Sequence, residues 1–332
     1  MLYAKRAELH RPGFALNEND VLQFEKGFPY EETDDQLRAI DDIRKDLQST
    51  KPMDRLVCGD VGFGKTEVAM RAAFFAVQGR KQVAVLAPTT VLTFQHHETF
   101  KKRFEGWPVN IRVLNRFVPP PEARKTVTDL KSGQVDIIIG THRLFSKEIL
   151  FKDLGLLIVD EEQKFGVTHK EKIRKMKVSV DTLTLSATPI PRTLNMSFVG
   201  IRDLSIINTP PVDRLPTRTF ICKWEDETMR KAIASELSRG GQIYFIHNRI
   251  QSIAAVVEDV RRVAGTARIR VAHGQMPEDE LEQTMLAFFH HDVDILICTA
   301  IVESGMDVPR ANTMFIDRAD MFGLSQLYQL RG

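Results

Sequence analysis

Cysteine is scarce: Cys58, Cys222 and Cys298 stand far apart and form no C-x-x-C pair. Two of them end apolar, strand-like runs, where cysteine behaves as a small buried hydrophobe. Neither a disulfide framework nor a redox motif is expected, and the pattern suits a reducing compartment. Excess charge is also missing, at +2 over 332 residues, so any nucleic-acid binding has to come from local patches. No apolar run approaches a membrane span; the longest, such as Leu154–Val159, are strand-sized. The opening Met1-Leu-Tyr-Ala-Lys-Arg6 carries no apolar stretch behind its charges, so a cytoplasmic protein with no membrane partner is expected. The histidines and cysteines never fall at metal-ligand spacing, so no structural metal is assigned. No internal repeat is visible, and Pro119-Pro120-Pro121 is the one biased segment.

What is present is a chain that is 43% hydrophobic and 27% charged, the composition of a soluble globular protein long enough for two domains. Its most informative stretch is Leu56-Val-Cys-Gly-Asp-Val-Gly-Phe-Gly-Lys-Thr66, a strand running into G-x-x-x-x-G-K-T. Gly59, Asp60, Val61, Gly62, Phe63 and Gly64 can wrap backbone N–H groups around a polyphosphate, because glycine tolerates the tight, partly left-handed turns required. Lys65 then reaches the β- and γ-phosphates and Thr66 offers a hydroxyl to Mg²⁺. Good helix formers follow from Glu67, so the phosphates would meet a helix N-terminus.

From residue 55 onward short apolar runs alternate with amphipathic stretches. Strands are expected at Leu56–Cys58, Gln82–Ala87, Asn110–Leu114, Val135–Gly140, Leu154–Asp160, Thr182–Ser186 and Leu204–Ile207, with helices at 65–78, 90–104, 121–132 and 190–199. This is the pattern of parallel sheet buried on both faces. Asn208–Pro216 is proline-rich and reads as a linker. A second series follows, with strands near Thr219–Lys223, Gln242–Ile246, Ile269–Ala272, Asp294–Cys298 and Thr313–Ile316, and helices at 226–238, 250–262 and 277–290. The expected division is a lead-in over 1–27, a first α/β domain over 28–207, the linker, and a second α/β domain over 217–332.

The apolar strand Leu154–Val159 delivers Asp160, Glu161 and Glu162 to the sheet edge. An acidic strand end there is how phosphate-loop enzymes hold Mg²⁺ against the β- and γ-phosphates. Asp160 is the expected metal holder, and Glu161 is placed to orient or deprotonate water.

DEEQ at 160–163 and SATPIPRT at 186–193, with the phosphate loop, resemble motifs II, III and I of superfamily 2 helicases and translocases. Ala87-Pro-Thr-Thr90, Ile139-Gly-Thr-His142, Ile243–Arg249, Thr299–Pro309 and Gln326–Gly332 are similar to motifs Ia, Ib, IV, V and the start of VI, in order. Within the superfamily the likeness is strongest to the translocase module of bacterial transcription-repair coupling factors, through 53–74, 151–163, 183–197 and HGQM at 273–276. Tyr3-Ala-Lys-Arg-Ala-Glu8 resembles the helix preceding that module. RecG-like branch-migration proteins share the framework.

The resemblance implies two tandem RecA-like domains, each a mostly parallel sheet flanked by helices, with ATP and Mg²⁺ in the cleft between them. It further implies ATP-driven movement on double-stranded DNA, with RNA polymerase and nucleotide-excision-repair proteins bound by regions outside this sequence. Glu303, Gly305 and Asp307 would lie near the nucleotide. Thr89, Thr90, Thr141, His142, His247, Asn248, Arg249, His273, Gln275 and Thr299 fall where the superfamily touches the sugar-phosphate backbone. Gln163, Ser186, Thr188, Arg192, Gln329 and Arg331 would couple nucleotide state to DNA contacts. Gln163 departs from the family's DExH form, which excludes an acid–base role there. An ATP-gated binding module with little turnover shares the same nucleotide site. The family's motif VI runs on into two further arginines, whereas this sequence stops at Arg331-Gly332, which leads to an expectation of slow hydrolysis.

Three assignments stay open. Gln36 matches the family's adenine-reading residue, and Thr33-x-x-Gln36 is equally a capping box for a helix over 34–48. Phe28 suits either stacking on the base or simple burial. Lys164, Lys170, Lys172, Arg174, Lys175 and Lys177 are either a solvated helix face or phosphate contacts.

Overall fold

Fully apolar strands need a partner on each side and a helix on each face, and the first part of the chain supplies both. The computed structural model describes residues 9–187, 202–212, 217–299, 308–323, 326, 327 and 330. The chain divides into two compact units, Met1–Arg214 and Leu215–Gly332. The first contains β1 (Asp54–Gly59), β2 (Gln82–Leu86), β3 (Ile111–Leu114), β4 (Ile137–Gly140), β5 (Leu154–Asp160), β6 (Asp181–Ser186) and β7 (Asp203–Ile207). They form one sheet in the order β3-β4-β2-β5-β6-β1-β7, parallel throughout.

Both faces of this sheet are covered, by α1 (Glu18–Lys26), α2 (Asp34–Gln48), α3 (Lys65–Gln78), α4 (Thr90–Arg103), α5 (Pro120–Ser132) and α6 (Val167–Met176). Alternate residues of β5 serve different cores: Leu156 and Ile158 join one cluster, Leu157 and Val159 the other. That is the period-2 geometry of a strand buried on two sides. The expected helix over 190–199 lies outside the described residues.

The segment set apart as a lead-in is, from Phe14 on, part of the first unit's core. Asn17 caps α1, and Phe14, Val21 and Phe24 are buried. The Phe24 ring stacks on Phe74 of α3 at 4.1 Å. Three apolar residues spaced among charges give too weak a stripe to show this in the sequence.

The second unit carries α7 (Asp226–Ser238), β8 (Ile243–Ile246), α8 (Ile253–Ala264), β9 (Ile269–Ala272), α9 (Glu278–Phe289), β10 (Ile295–Cys298) and β11 (Thr313–Ile316). Its parallel sheet has the order β11-β8-β10-β9. The expected strand at Thr219–Lys223 is absent: 217–225 is irregular, with Phe220 83% and Ile221 100% exposed. An apolar run becomes a strand only where a ladder partner takes up its N–H and C=O groups, and none pairs with it among the described residues.

The repeat that the sequence hides is plain in the backbone. The order β11-β8-β10-β9 reproduces β5-β2-β4-β3 of the first unit. Gln82 at the start of β2 donates its amide to the Leu130 and Val135 carbonyls at 2.9 and 2.8 Å. Gln242, just before β8, does the same to Phe288 and Val293 at 2.6 and 2.7 Å. Beyond β5 the chain passes through left-handed Glu161 (φ 50°, ψ 53°) into a short 3-10 turn. Beyond β11 it passes through left-handed Arg318 (φ 54°, ψ 53°) into another.

A buried charge network fastens α3 to the chain before it. Arg71, 1% exposed, pairs with Glu67 at 2.9 Å, with Glu25 at 3.5 Å, and with Glu32. Arg103 of α4 also reaches Glu67 at 2.8 Å and lies 3.9 Å over the Phe24 ring. Removing the central cation leaves buried Glu67 to Arg103 alone and takes the Arg71 cation from Glu25 and Glu32. Arg71→Met is expected to cost about 3–5 kcal/mol, read as a lower denaturation midpoint at unchanged slope. A loss under about 1 kcal/mol would mean that Arg103 alone neutralises Glu67.

Candidate active site

In a parallel sheet all strands end at the same edge, and in open α/β sheets that carboxyl edge is where ligands bind. Here β6 lies between β1 and β5, with Cys58 opposite Ser186 and Leu185 opposite Asp160. The register therefore brings the glycine-rich loop leaving β1, Ser186, and the acidic end of β5 to adjacent positions along one edge.

The loop holds its own shape. Gly62 and Gly64 have φ of 79° and 78°, the left-handed region that favours glycine. At Gly64 a Cβ would also lie 2.2 Å from Gln36 Nε2. Gly64 is the N-cap of α3 and brings no side chain to the helix start, while its carbonyl accepts from the Glu67 N–H at 3.0 Å. The Asp60 carboxylate accepts from the Val61 N–H at 2.8 Å, and the Phe63 N–H turns back to the Asp60 carbonyl at 3.2 Å. Lys65 donates to the Gly59 and Asp60 carbonyls at 2.7 and 2.8 Å. Burial pushes the Lys65 ammonium below its usual range and outweighs the pull of Glu161, Asp160 and Asp60. Lys65 and Thr66 are half-buried.

Gln36 closes the loop from the other side. Its Oε1 accepts from the Thr33 N–H at 2.9 Å while Thr33 Oγ1 accepts from the Gln36 N–H, a complete capping box on α2. Its Nε2 donates to the Phe63 carbonyl at 3.0 Å. The residue is 4% exposed, so the cap and the loop tie engage both ends of the amide. Phe28 is half-buried, edge-on to Tyr30, with the Arg71 and Arg103 guanidiniums 5.7 and 5.9 Å from its ring centre.

The neighbouring carboxylates of DEEQ are driven in opposite directions, which separates their chemistry. Burial, and then Asp160, raise Glu161 above the usual carboxylate range, although it accepts the Ala187 N–H at 2.8 Å. Burial also acts on Glu162, but Lys177 at 2.7 Å and Arg202 at 3.7 Å outweigh it and hold that carboxyl low. Glu162 is thus an ion-pair partner, whereas Glu161 is the carboxylate that binds a proton more readily than usual. Gln163 donates to Glu161. Asp160 Oδ2 lies 2.9 Å from His96 Nε2. Among the described residues no group of three or more His, Cys, Asp or Glu could hold a metal unaided. One hydroxyl and one carboxylate, Thr66 and Asp160, fit Mg²⁺ when substrate phosphates complete its shell.

The suspected nucleic-acid contacts sort differently from their sequence grouping. Thr89 caps α4, Thr90 is buried, and Thr141 caps the turn after β4. His142 is exposed and stacks on His169 at 4.6 Å. These residues follow β2 and β4, which are paired with Leu86 opposite Gly140. In the second unit His247, His273 and Thr299 follow β8, β9 and β10 at one edge. His247 is buried, its Nδ1 2.7 Å from Asp317 and its Nε2 2.7 Å from Ser252. It holds the loop that presents exposed Asn248 and Arg249 and does not face outward itself. His273 and Gln275 line a cleft of about 440 Å³ with Arg270.

In the basic run Lys177 is buried against Glu162 and Lys170 donates to the Gln163 carbonyl at 3.0 Å; Lys172, Arg174 and Lys175 are exposed. Thr188, Arg192, Glu303, Gly305, Asp307, Gln329 and Arg331 lie outside the described residues. Sequence reasoning passed over His96. Its one signal is a place in the i, i+4 stripe Leu92, His96, Phe100, all of it buried.

Comparison with known proteins bears on the family and the fold. Residues 33–197 match the DEAD/DEAH box helicase family and 225–332 the helicase conserved C-terminal domain. The chain is 53% identical over 331 residues to the transcription-repair-coupling factor of Bacillus subtilis and 54% over 334 to that of Myxococcus xanthus. It is covered completely in both matches and spans 28% of each relative. A solved structure of RecG bound to a three-way DNA junction superposes with a TM-score of 0.82 at 34% identity, over 99% of this chain and 44% of that one. The two family matches, which together take in both RecA-like units, make this chain a member of the DEAD/DEAH-type helicase family, similar along its whole length to one part of transcription-repair-coupling factors.

Proposed function

We propose that this chain is the ATP-driven motor of a transcription-coupled repair factor, moving along double-stranded DNA to displace stalled RNA polymerase. The observation that carries this is identity above one half, along the whole of this chain, to a span that makes up 28% of transcription-repair-coupling factors, joined to a carboxyl edge whose residues suit ATP hydrolysis. RNA polymerase and excision-repair proteins would be bound by parts of those relatives outside this span. A RecG-like branch-migration activity is the second reading, favoured by the TM-score of 0.82 to a RecG–junction complex.

In this reading Lys65 exchanges the Gly59 and Asp60 carbonyls for phosphate oxygens, and the N–H groups at the start of α3 receive the polyphosphate. Thr66 and Asp160 would hold Mg²⁺, which neutralises charge building on the phosphates. Glu161, raised by burial, accepts the proton of the attacking water. Nucleic acid is gripped through its backbone by Thr89, His142, Asn248, Arg249, His273 and Gln275, on loops that buried Thr90, Thr141, His247 and Thr299 shape, which gives positioning without sequence reading. Phe28 flanks the base.

Lys65→Ala is expected to weaken nucleotide binding and turnover together. Glu161→Gln keeps binding and slows single-turnover hydrolysis by roughly 10²–10⁴; full hydrolysis in that variant would remove Glu161 from the role. The wild-type rate should fall as pH drops through the Glu161 pKa, on a limb above the ordinary value of 4.5. A stopped-flow pH profile with no such limb, or one that persists in Glu161→Gln, contradicts the assignment.

Duplex binding should be indifferent to sequence and fall linearly in log affinity with log salt. Titrations of unrelated duplexes at several salt concentrations decide this. Preference for one sequence, or an affinity flat in salt, argues against a backbone-tracking motor. Selective binding of three-way junctions supports the RecG-like reading. ATP-dependent DNA retention without DNA-stimulated phosphate release would instead mark a gated clamp.

A further inference from the structure

Two histidines stand side by side on α4, and they do different things. His97 is half-buried with its Nδ1 3.3 Å from Glu98, a partner on its own helix. His96 is buried, turned toward β5, and places Nε2 2.9 Å from Asp160 Oδ2. Its ring meets Phe100 edge-on at 6.4 Å, one helical turn further along. An ionised carboxylate can only accept, so Nε2 carries the proton and donates it.

We propose that His96 is a positioning residue for Asp160: its N–H fixes one carboxylate oxygen and so orients the other toward the metal of the nucleotide site. The inference rests on the reading of Asp160 as the Mg²⁺-holding carboxylate. A carboxylate at a strand end can turn about its last bond, and each orientation offers the metal a different oxygen. The bond from His96 engages Oδ2 and stops that rotation, leaving Oδ1 as the oxygen it does not use. The bond is made where a second carboxylate, Glu161, repels the first, so the donor also offsets charge crowding. Partners of this kind, one bond removed from a metal, set ligand orientation and typically govern 10–100-fold in metal affinity. His96 also shares its helix with Thr89 and Thr90, two of the suspected phosphate contacts. The helix that would meet nucleic acid at its first turn thereby touches the metal carboxylate near its middle.

The test uses the full chain with a fluorescent, non-hydrolysable ATP analogue and reads binding, not turnover. Mg²⁺ is titrated into wild type, His96→Phe, His96→Gln and His97→Phe, with thermal melts to verify folding. The Mg²⁺ concentration for half-maximal analogue binding should rise about 10–100-fold in His96→Phe, while affinity for the metal-free analogue holds. Gln places an amide N–H near the position of Nε2, so His96→Gln should recover most of the loss. His97→Phe should match wild type. Should the phenyl ring disturb the core, His96→Leu serves in its place. A folded His96→Phe with unchanged Mg²⁺ dependence overturns the proposal. So does an equal loss of metal-free and metal-bound affinity, which marks a scaffold role, or failure of His96→Gln to recover. If wild type itself shows no Mg²⁺-dependent binding, the nucleotide-site reading falls first, and this outcome is distinct from the others.

Discussion

Parallel pairing of β1, β6 and β5 is the constraint on which everything else rests. Because the three strands run the same way, Gly59, Ser186 and Asp160 reach one edge whatever the intervening chain does. Those intervening segments are long crossover connections, as parallel neighbours require. The β1 strand is buried at all six positions, so a one-residue slip would drive its whole side-chain set to the wrong face. The geometry of the candidate site is therefore fixed by core packing well below it, and the loop chemistry is laid over a rigid frame.

On that frame charge is handled by local pairing. The +2 net charge of the chain says little about an edge where Lys65, Asp160 and Glu161 are crowded together. Desolvation dominates both ends of the crowd, lowering Lys65 and raising Glu161. Both groups are thus less stable in charged form than they would be in water, so each gains by meeting a complementary charge. Glu162, one residue on, shows the opposite regime, with Lys177 and Arg202 outweighing burial. A single backbone step separates a carboxylate held low by two cations from one raised by burial.

How much of this was legible from residues alone depended on where the signal was local. The helix at 65–78 and the strand Leu154–Asp160 are read to the residue, because a glycine-rich loop and an apolar run mark their ends. The capping box at Thr33 and Gln36 was equally visible, since its two partners are three residues apart. The tie from Gln36 to the Phe63 carbonyl was not, because it joins positions 27 residues apart. His96 and the Arg71 network failed for the same reason: their partners meet only after the sheet is assembled. The strand expected at Thr219–Lys223 failed in the other direction, since composition can propose a strand but cannot supply the edge that receives it. His247 was expected at the surface from the motif it resembles, and its Asp317 partner is 70 residues away.

The paired left-handed residues bear on how such strain is interpreted. A non-glycine residue at positive φ costs on the order of 1–3 kcal/mol and is often taken as a sign of catalysis. Glu161 invites that view. Yet Arg318 adopts nearly the same angles at the equivalent step of the second unit, exposed and paired with Asp320. The shared cost belongs to the way a chain leaves this strand for a tight turn, whichever side chain stands there. Both units carry the kink; what differs is an acid in one and a guanidinium in the other. The distorted backbone is thus a socket common to both halves, and the angle alone says nothing about the chemistry of the side chain fitted into it.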